Sequence, residues 1–327
     1  MSRKYHSVSL NKFNFLVTGG AGFIGSHIVD YLMENNAGKV RVVDNLSTGS
    51  MHNIEHHIDN QNFEFIEGDL TQLEVCNKAC DNIDIVFHQA ALGSVPRSIE
   101  QPLNTNNHNV NAHLNILWTC VSKNIQRVVF ASSSSVYGDD NHFPKTEQNI
   151  GMPLSPYAVS KRVNELYAHV FASLYDLQII GLRYFNVFGP RQNPKGPYAA
   201  VIPLFIDALK NQQTPVIFGN GEQSRDFTYV ENIVQANILA AFSENKEAFG
   251  KIMNIGAGGS TSVNQLFYII ADALQSSTTP EYKAARKGDV LQSSASVDLA
   301  KQLIEYSPVT DIHQGIALTI QSFADKI

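Results

Sequence analysis

The chain has 327 residues, 24 Lys and Arg against 30 Asp and Glu, a formal net charge of −6, and 43% hydrophobic residues. That composition excludes a disordered polypeptide, and the length suits about two domains or one large α/β unit. No basic block points to nucleic acid, no apolar run approaches the ~18 residues of a membrane span, and residues 1–12 lack the apolar stretch of a secretion signal.

Short apolar runs alternate with helical patterns through the first half. Strands are expected at 13–18, 40–44, 63–67, 83–88, 127–132 and 178–184. Helices are expected at 24–36, 104–123 and 157–174, the last from the spacing of Val159, Val163, Leu166, Val170 and Leu174. Such alternation makes a parallel sheet with helices on both faces. Strands without polar alternation fit burial on both sides. After Tyr184 prolines and glycines cluster, at Gly189, Pro190, Pro194, Gly196 and Pro197. Helices at 202–210 and 230–243 and a strand at 252–255 follow, and the last ~70 residues are less regular by the same test. Cys76, Cys80 and Cys120 form no disulfide framework and read as thiols in a reducing cytoplasm. His27, His52, His56 and His57 show no metal-ligand pattern, and no metal is expected.

Gly19, Gly22 and Gly25 follow the first strand and open the first helix. Glycine lets the backbone approach a pyrophosphate, and the helix N-terminus presents free N–H groups to it. Asp44 ends the next strand, where a carboxylate can accept both hydroxyls of an adenosine ribose. No Lys or Arg occurs from Asn45 to Asn77 to meet a 2′-phosphate, which favours NAD over NADP. Asp69 ends the third strand and can accept from the adenine amine or cap the following turn. Tyr157 and Lys161 share a helix face, and an ammonium beside a phenol favours the phenolate. The Ser132–Ser135 run leaves the fifth strand at its carboxyl end, where such sheets bind ligands.

These motifs, with Asp-Asn-Leu-Ser-Thr-Gly (44–49), His-Gln-Ala-Ala (88–91), Ser-Ser-Val-Tyr-Gly (134–138), Arg-Tyr-Phe-Asn-Val-Phe-Gly-Pro-Arg (183–191) and Arg-Asp-Phe-Thr-Tyr-Val (225–230), span nearly the whole chain. The sequence resembles the extended short-chain dehydrogenase/reductases, in the NAD-dependent epimerase/dehydratase group. The resemblance implies a Rossmann doubly wound sheet with a smaller C-terminal α/β substrate domain. Residues 1–185 plus 226–256 would bind NAD, and 186–225 plus 257–327 the nucleotide sugar. It assigns Ser133 as the catalytic hydroxyl, Tyr157 as the acid/base, and Lys161 as the group that holds the nicotinamide ribose and tunes Tyr157. NAD contacts fall on Gly19, Gly22, Phe23, Ile24 and Gly25, on Asp44, Asn45, Leu46, Ser47, Thr48 and Gly49, and on Asp69 and Leu70. They continue at Gln89, Ala90, Ala91 and Leu92 and at Tyr184, Phe185 and Val187.

For the substrate, the resemblance points to Arg225 for the diphosphate, Asn186 for phosphate and sugar, Ala200 and Val201 for the uridine, and Asp289 for its ribose. Arg225 and Arg286 also suit bidentate phosphate binding by their own chemistry. Gly93, Ser94 and Ser134 would face the sugar, and a small Ser293 would admit an N-acetyl group. Dehydratases of the group place an acid directly after the catalytic hydroxyl, and this chain has Ser134 and Ser135 there. The resemblance therefore implies C4 epimerisation of a UDP-N-acetylhexosamine through a 4-keto sugar. The alternatives are the uronic-acid forms or UDP-glucose/galactose, then a dehydratase or decarboxylase, then a non-catalytic NAD-binding protein. A homodimer is expected from the apolar faces of the 104–123 and 157–174 helices, which relatives pair. Two departures are Leu291, where an Arg is frequent, and Ala112-His113 in place of Gly-Thr.

Overall fold

The computed structural model describes residues 3–193, 200–285 and 292–324. Seven strands, β1 (Asn14–Thr18), β2 (Lys39–Asp44), β3 (Phe63–Glu67), β4 (Ile85–His88), β5 (Arg127–Ser133), β6 (Gln178–Tyr184) and β7 (Ile252–Ile255), form one sheet in the order β7-β6-β5-β4-β1-β2-β3. Every pairing in it is parallel. Along β1, Phe15 and Val17 enter one buried cluster while Leu16 enters another. Both sheet faces are therefore covered, which is why the strands read as unbroken apolar runs. The first cluster takes in Ile233 and Ile238 of a helix at Val230–Phe242, and the second takes in Ile116 and Leu117. Strand order reverses between β1 and β4, and the carboxyl ends on either side of that switch open the crevice where such sheets take ligands.

The α1 helix (Phe23–Glu34) follows β1 directly. The expected 104–123 helix is observed as Pro102–Asn106, a π-helical segment at Asn107–Asn111, and α2 (Ala112–Ser122). The α3 helix (Pro156–Tyr175) starts at Ser155, whose side chain accepts from the Ala158 N–H at 3.1 Å, with Pro156 at its first position. A third cluster joins α4 (Val201–Lys210), α5 (Val263–Ala273) and α6 (Ile312–Ala324) through Phe205, Leu266, Ile270 and Ile316. The last two helices, with a short one at Asp298–Ile304, lie in the stretch whose periodicity is weakest. A capping box at Ser262 and Gln265 starts α5. Among the described residues no helix is long and apolar enough to cross a membrane.

Candidate active site

The β1–α1 turn builds the floor of the site. Gly19 sits at φ +66°, and a Cβ there would stand 2.8 Å from the Ala90 backbone. A Cβ on Gly25 would overlap the Gly19 carbonyl. Only glycine lets α1 begin this close to the strand, so that its first N–H groups face a ligand. Asp44 closes the end of the site at β2. Its Oδ2 accepts from the Ala21 N–H at 3.0 Å and its Oδ1 from the Leu46 N–H at 2.9 Å. Burial pushes its carboxyl up, and those two donors partly offset the rise. Asp69 accepts from the Thr71 N–H at 2.9 Å, so it caps a turn, and the helix that follows begins only at Leu73. Burial raises its carboxyl too, but Thr71, His108 and Asn45 together hold it below the usual carboxylate range.

A cleft of ≈ 570 Å³ runs from this turn to Ser133, Tyr157 and Lys161. Gly19, Gly22, Phe23, Ile24 and Gly25 line it, followed by Asp44, Asn45, Ser47, Thr48, Asp69 and Leu70. Gln89, Ala90, Ala91, Leu92, Gly93, Tyr184 and Val187 continue the wall to Ser133, Ser134, Tyr157, Lys161 and Asn186. Three expected cofactor contacts do not line it. Leu46 packs on the core and Gly49 stands behind Asp44. Phe185 is fully buried among Val136, Tyr137 and Ala295. Ser94 also lies off the cleft and caps a short helix by accepting from the Arg97 N–H. Arg97, His108 and Gln192 line the cleft without having been singled out in the sequence.

Ser133 and Tyr157 both line the cleft, and the Ser133 hydroxyl acts on the Tyr157 phenol. Ser133 Oγ also accepts from the N–H and the hydroxyl of Ser135, at 3.2 and 3.0 Å. A hydroxyl thus stands beside Ser133, where the family resemblance places an acid in dehydratases. Lys161 Nζ donates to the Ala131 carbonyl at 2.8 Å. Burial pushes the Lys161 ammonium down to about 8, against the nearby Glu165 charge. Burial raises the Tyr157 phenol and the Ser133 hydrogen bond lowers it, with a net rise. The sequence alone predicts a lowered phenol. In the chain by itself, desolvation outweighs the Ser133 hydroxyl.

Beneath these groups runs a buried network. Glu165, one turn after Lys161, accepts from Ser132 Oγ at 2.7 Å and from Arg183 Nε and Nη2 at 2.8 and 2.9 Å. Arg183 Nη1 donates to the Tyr137 hydroxyl at 2.9 Å, which donates to Asn254 Oδ1 at 2.6 Å. The catalytic helix is thereby tied to β5, β6 and β7. A second ring fixes Gln89, which accepts from the Tyr184 hydroxyl and donates to Asn237, while Asn237 donates to Tyr184.

A neighbouring cleft of ≈ 500 Å³ takes in Asn186, Val187, Ala200, Val201, Arg225 and Phe218. Ser293 lies outside both linings but pairs with Arg225 across a short sheet. Asp226 binds these segments together. Its N–H donates to the Ser293 carbonyl at 2.7 Å, and its carboxylate accepts from the Ala257 and Gly258 N–H groups at 2.8 and 3.1 Å. Burial pushes that carboxyl up to about 6, against the three backbone donors around it. Arg286 and Asp289 lie outside the described residues.

The glycine cradle, the Asp44 carboxylate at the end of β2 and the donor set at Tyr157 and Lys161 fit a dinucleotide. Residues 15–256 match the model of the NAD dependent epimerase/dehydratase family. The chain is 43% identical to the UDP-N-acetylglucosamine 4-epimerase of Methanobrevibacter ruminantium, solved with UDP-N-acetylmuramic acid, at a TM-score of 0.91 over 96% of this chain and 99% of that one. It is 32% identical to the Thermus thermophilus UDP-glucose 4-epimerase solved with NAD, at a TM-score of 0.85 over 96% and 100% of the two chains. It is 34% identical to the UDP-glucose 4-epimerase of Mycolicibacterium smegmatis over 95% of this chain and 98% of that protein. The chain belongs to the NAD dependent epimerase/dehydratase family, and NAD is the cofactor for which its site is built.

Proposed function

We propose that the protein is an NAD-dependent UDP-sugar 4-epimerase working through a 4-keto sugar. The observation that carries this reading is the meeting of Ser133, Tyr157 and Lys161 at the end of β5, with Ser135 bonded to Ser133. When bound, NAD supplies the hydride acceptor. Tyr157 takes the 4-hydroxyl proton, Ser133 bridges the hydrogen bond, and Tyr157 gives the proton back when the ketone is reduced. Lys161 holds the cofactor ribose and favours the phenolate through its charge. Residues 1–185 with 226–256 hold the cofactor, and 186–225 with 257–327 hold the UDP-sugar, Arg225 facing the diphosphate. Arg286 and Asp289 keep the phosphate and ribose roles that the family resemblance gives them.

The names of the relatives move the sugar assignment away from N-acetylhexosamine alone. Two of the three described above are UDP-glucose 4-epimerases. We place UDP-glucose and UDP-galactose first, with UDP-GlcNAc and UDP-GalNAc accepted as well because Ser293 is small. The test follows products by NMR from UDP-glucose, UDP-GlcNAc and UDP-glucuronate. Interconversion at C4 of the first two is expected, and no isomer from any of the three sinks the reading. Ser293→Tyr should lower turnover of UDP-GlcNAc about 10–100-fold more than that of UDP-glucose. Equal loss on both would remove Ser293 as the gate.

The same reading includes a homodimer, with no nucleic-acid or membrane partner. Leu103 is 85% exposed, Leu174 70%, Ile99 63%, Leu166 52% and Trp118 48%, on the short helices at Val95–Glu100 and Pro102–Asn106 and on α2 and α3. That much apolar surface is unusual on a monomer. Leu166→Asp together with Leu174→Asp should halve the mass seen by sedimentation equilibrium. An unchanged mass would place the interface elsewhere.

A further inference from the structure

Three side chains converge at the outer edge of the cofactor-binding half, away from the catalytic residues. His56 and His57 close a short helical turn at Glu55–His57, which is anchored by the buried Ile54 and by Asn53 Nδ2 donating to the Ala21 carbonyl at 2.8 Å. Both imidazoles aim Nε2 at one oxygen of Asp30 on α1, His57 at 2.8 Å and His56 at 3.0 Å. Their rings stand 4.0 Å apart, and all three donor atoms lie within 4.8 Å of one another. The second Asp30 oxygen is held by Arg191 Nη2 at 2.7 Å. His27, one turn earlier on α1, is engaged by the Pro190 carbonyl and is not a ligand.

From this convergence we propose that His56, His57 and Asp30 form a binding site for a divalent transition metal such as Zn²⁺, with a fourth position open to water. Two imidazole nitrogens and one carboxylate oxygen form a donor set that suits zinc, cobalt or nickel and does not suit calcium or magnesium. Zinc bonds of about 2.0–2.1 Å in a tetrahedron separate ligand atoms by about 3.3 Å, so the two His–Asp30 pairs need to open by only a few tenths of an ångström. Arg191 then acts on the carboxylate from outside, orienting the oxygen that faces the metal. His56 is half exposed and His57 and Asp30 are largely covered, so the open position faces solvent. The adjacent pair escapes the sequence because His-His has no metal-site spacing of its own. The third ligand comes from a helix 26 residues earlier.

Tag-free full-length protein is treated with chelator, dialysed, and titrated with Zn²⁺ and with Co²⁺ by calorimetry and visible absorption. The expected result is one ion per chain at micromolar affinity or tighter, with the d–d bands of four-coordinate Co²⁺. His56→Ala with His57→Ala should weaken binding at least 30-fold, and Asp30→Asn should weaken it as well. Retained NAD and a normal melting temperature without metal establish that these variants are folded. Absence of saturable one-per-chain binding, or equal binding by the double variant, overturns the proposal.

Discussion

Tyr157→Phe is expected to lower turnover about 10²–10⁴-fold while the protein keeps its NAD. The phenol is the titratable proton carrier beside the Ser133 hydroxyl, and phenylalanine fills the same space without a proton to exchange. Burial raises the phenol in the chain alone, so removal of its proton depends on positive charge brought beside it. In the proposed mechanism Lys161 supplies part of that charge, and burial pushes its ammonium down to about 8, so that charge is lost as pH rises through about 8. Bound NAD in the variant should match the wild type by absorbance after denaturation. Turnover within tenfold of the wild type would show that another group moves the proton.

The second large effect is structural. Glu165 and Arg183 are each 2% exposed, and Ser132, Tyr137 and Asn254 continue their network. Arg183→Met leaves the Glu165 carboxylate buried without its bidentate partner. The expected loss is about 3–5 kcal/mol of unfolding free energy, read from urea denaturation. Changing Glu165→Leu in the same chain should recover most of it, since replacing both partners of a buried pair by apolar groups is often neutral. A loss below about 1 kcal/mol for the single variant would mean that solvent or Arg162, whose Nη1 donates to Glu165 Oε2 at 2.9 Å, compensates the carboxylate.

The sheet was legible because burial on both faces leaves unbroken apolar runs, and the strand at 178–184 is observed at those residues. The catalytic helix was legible for a different reason than its packing. Leu166, Val170 and Leu174, whose spacing reveals it, are exposed, and the face on the sheet carries Ala158, Lys161, Glu165 and Phe171. A periodic apolar stripe marks a helix but does not say which partner covers it. The Glu165–Arg183 pair and the Asp226 clasp escaped because their partners lie far apart in sequence, and a lone acid in a helix reads as a solvated face. Phe185 sits between cofactor contacts in its motif, but strand alternation turns it into the core.

The most direct test of the central claim uses UDP-galactose carrying deuterium at C4, incubated with the protein as purified and without added NAD. The UDP-glucose formed is analysed by NMR and mass spectrometry. Removal and return of one hydride within a closed site predicts full retention of the label at C4. Loss of deuterium to water, or its appearance at another carbon, would contradict C4 oxidation and re-reduction as the reaction.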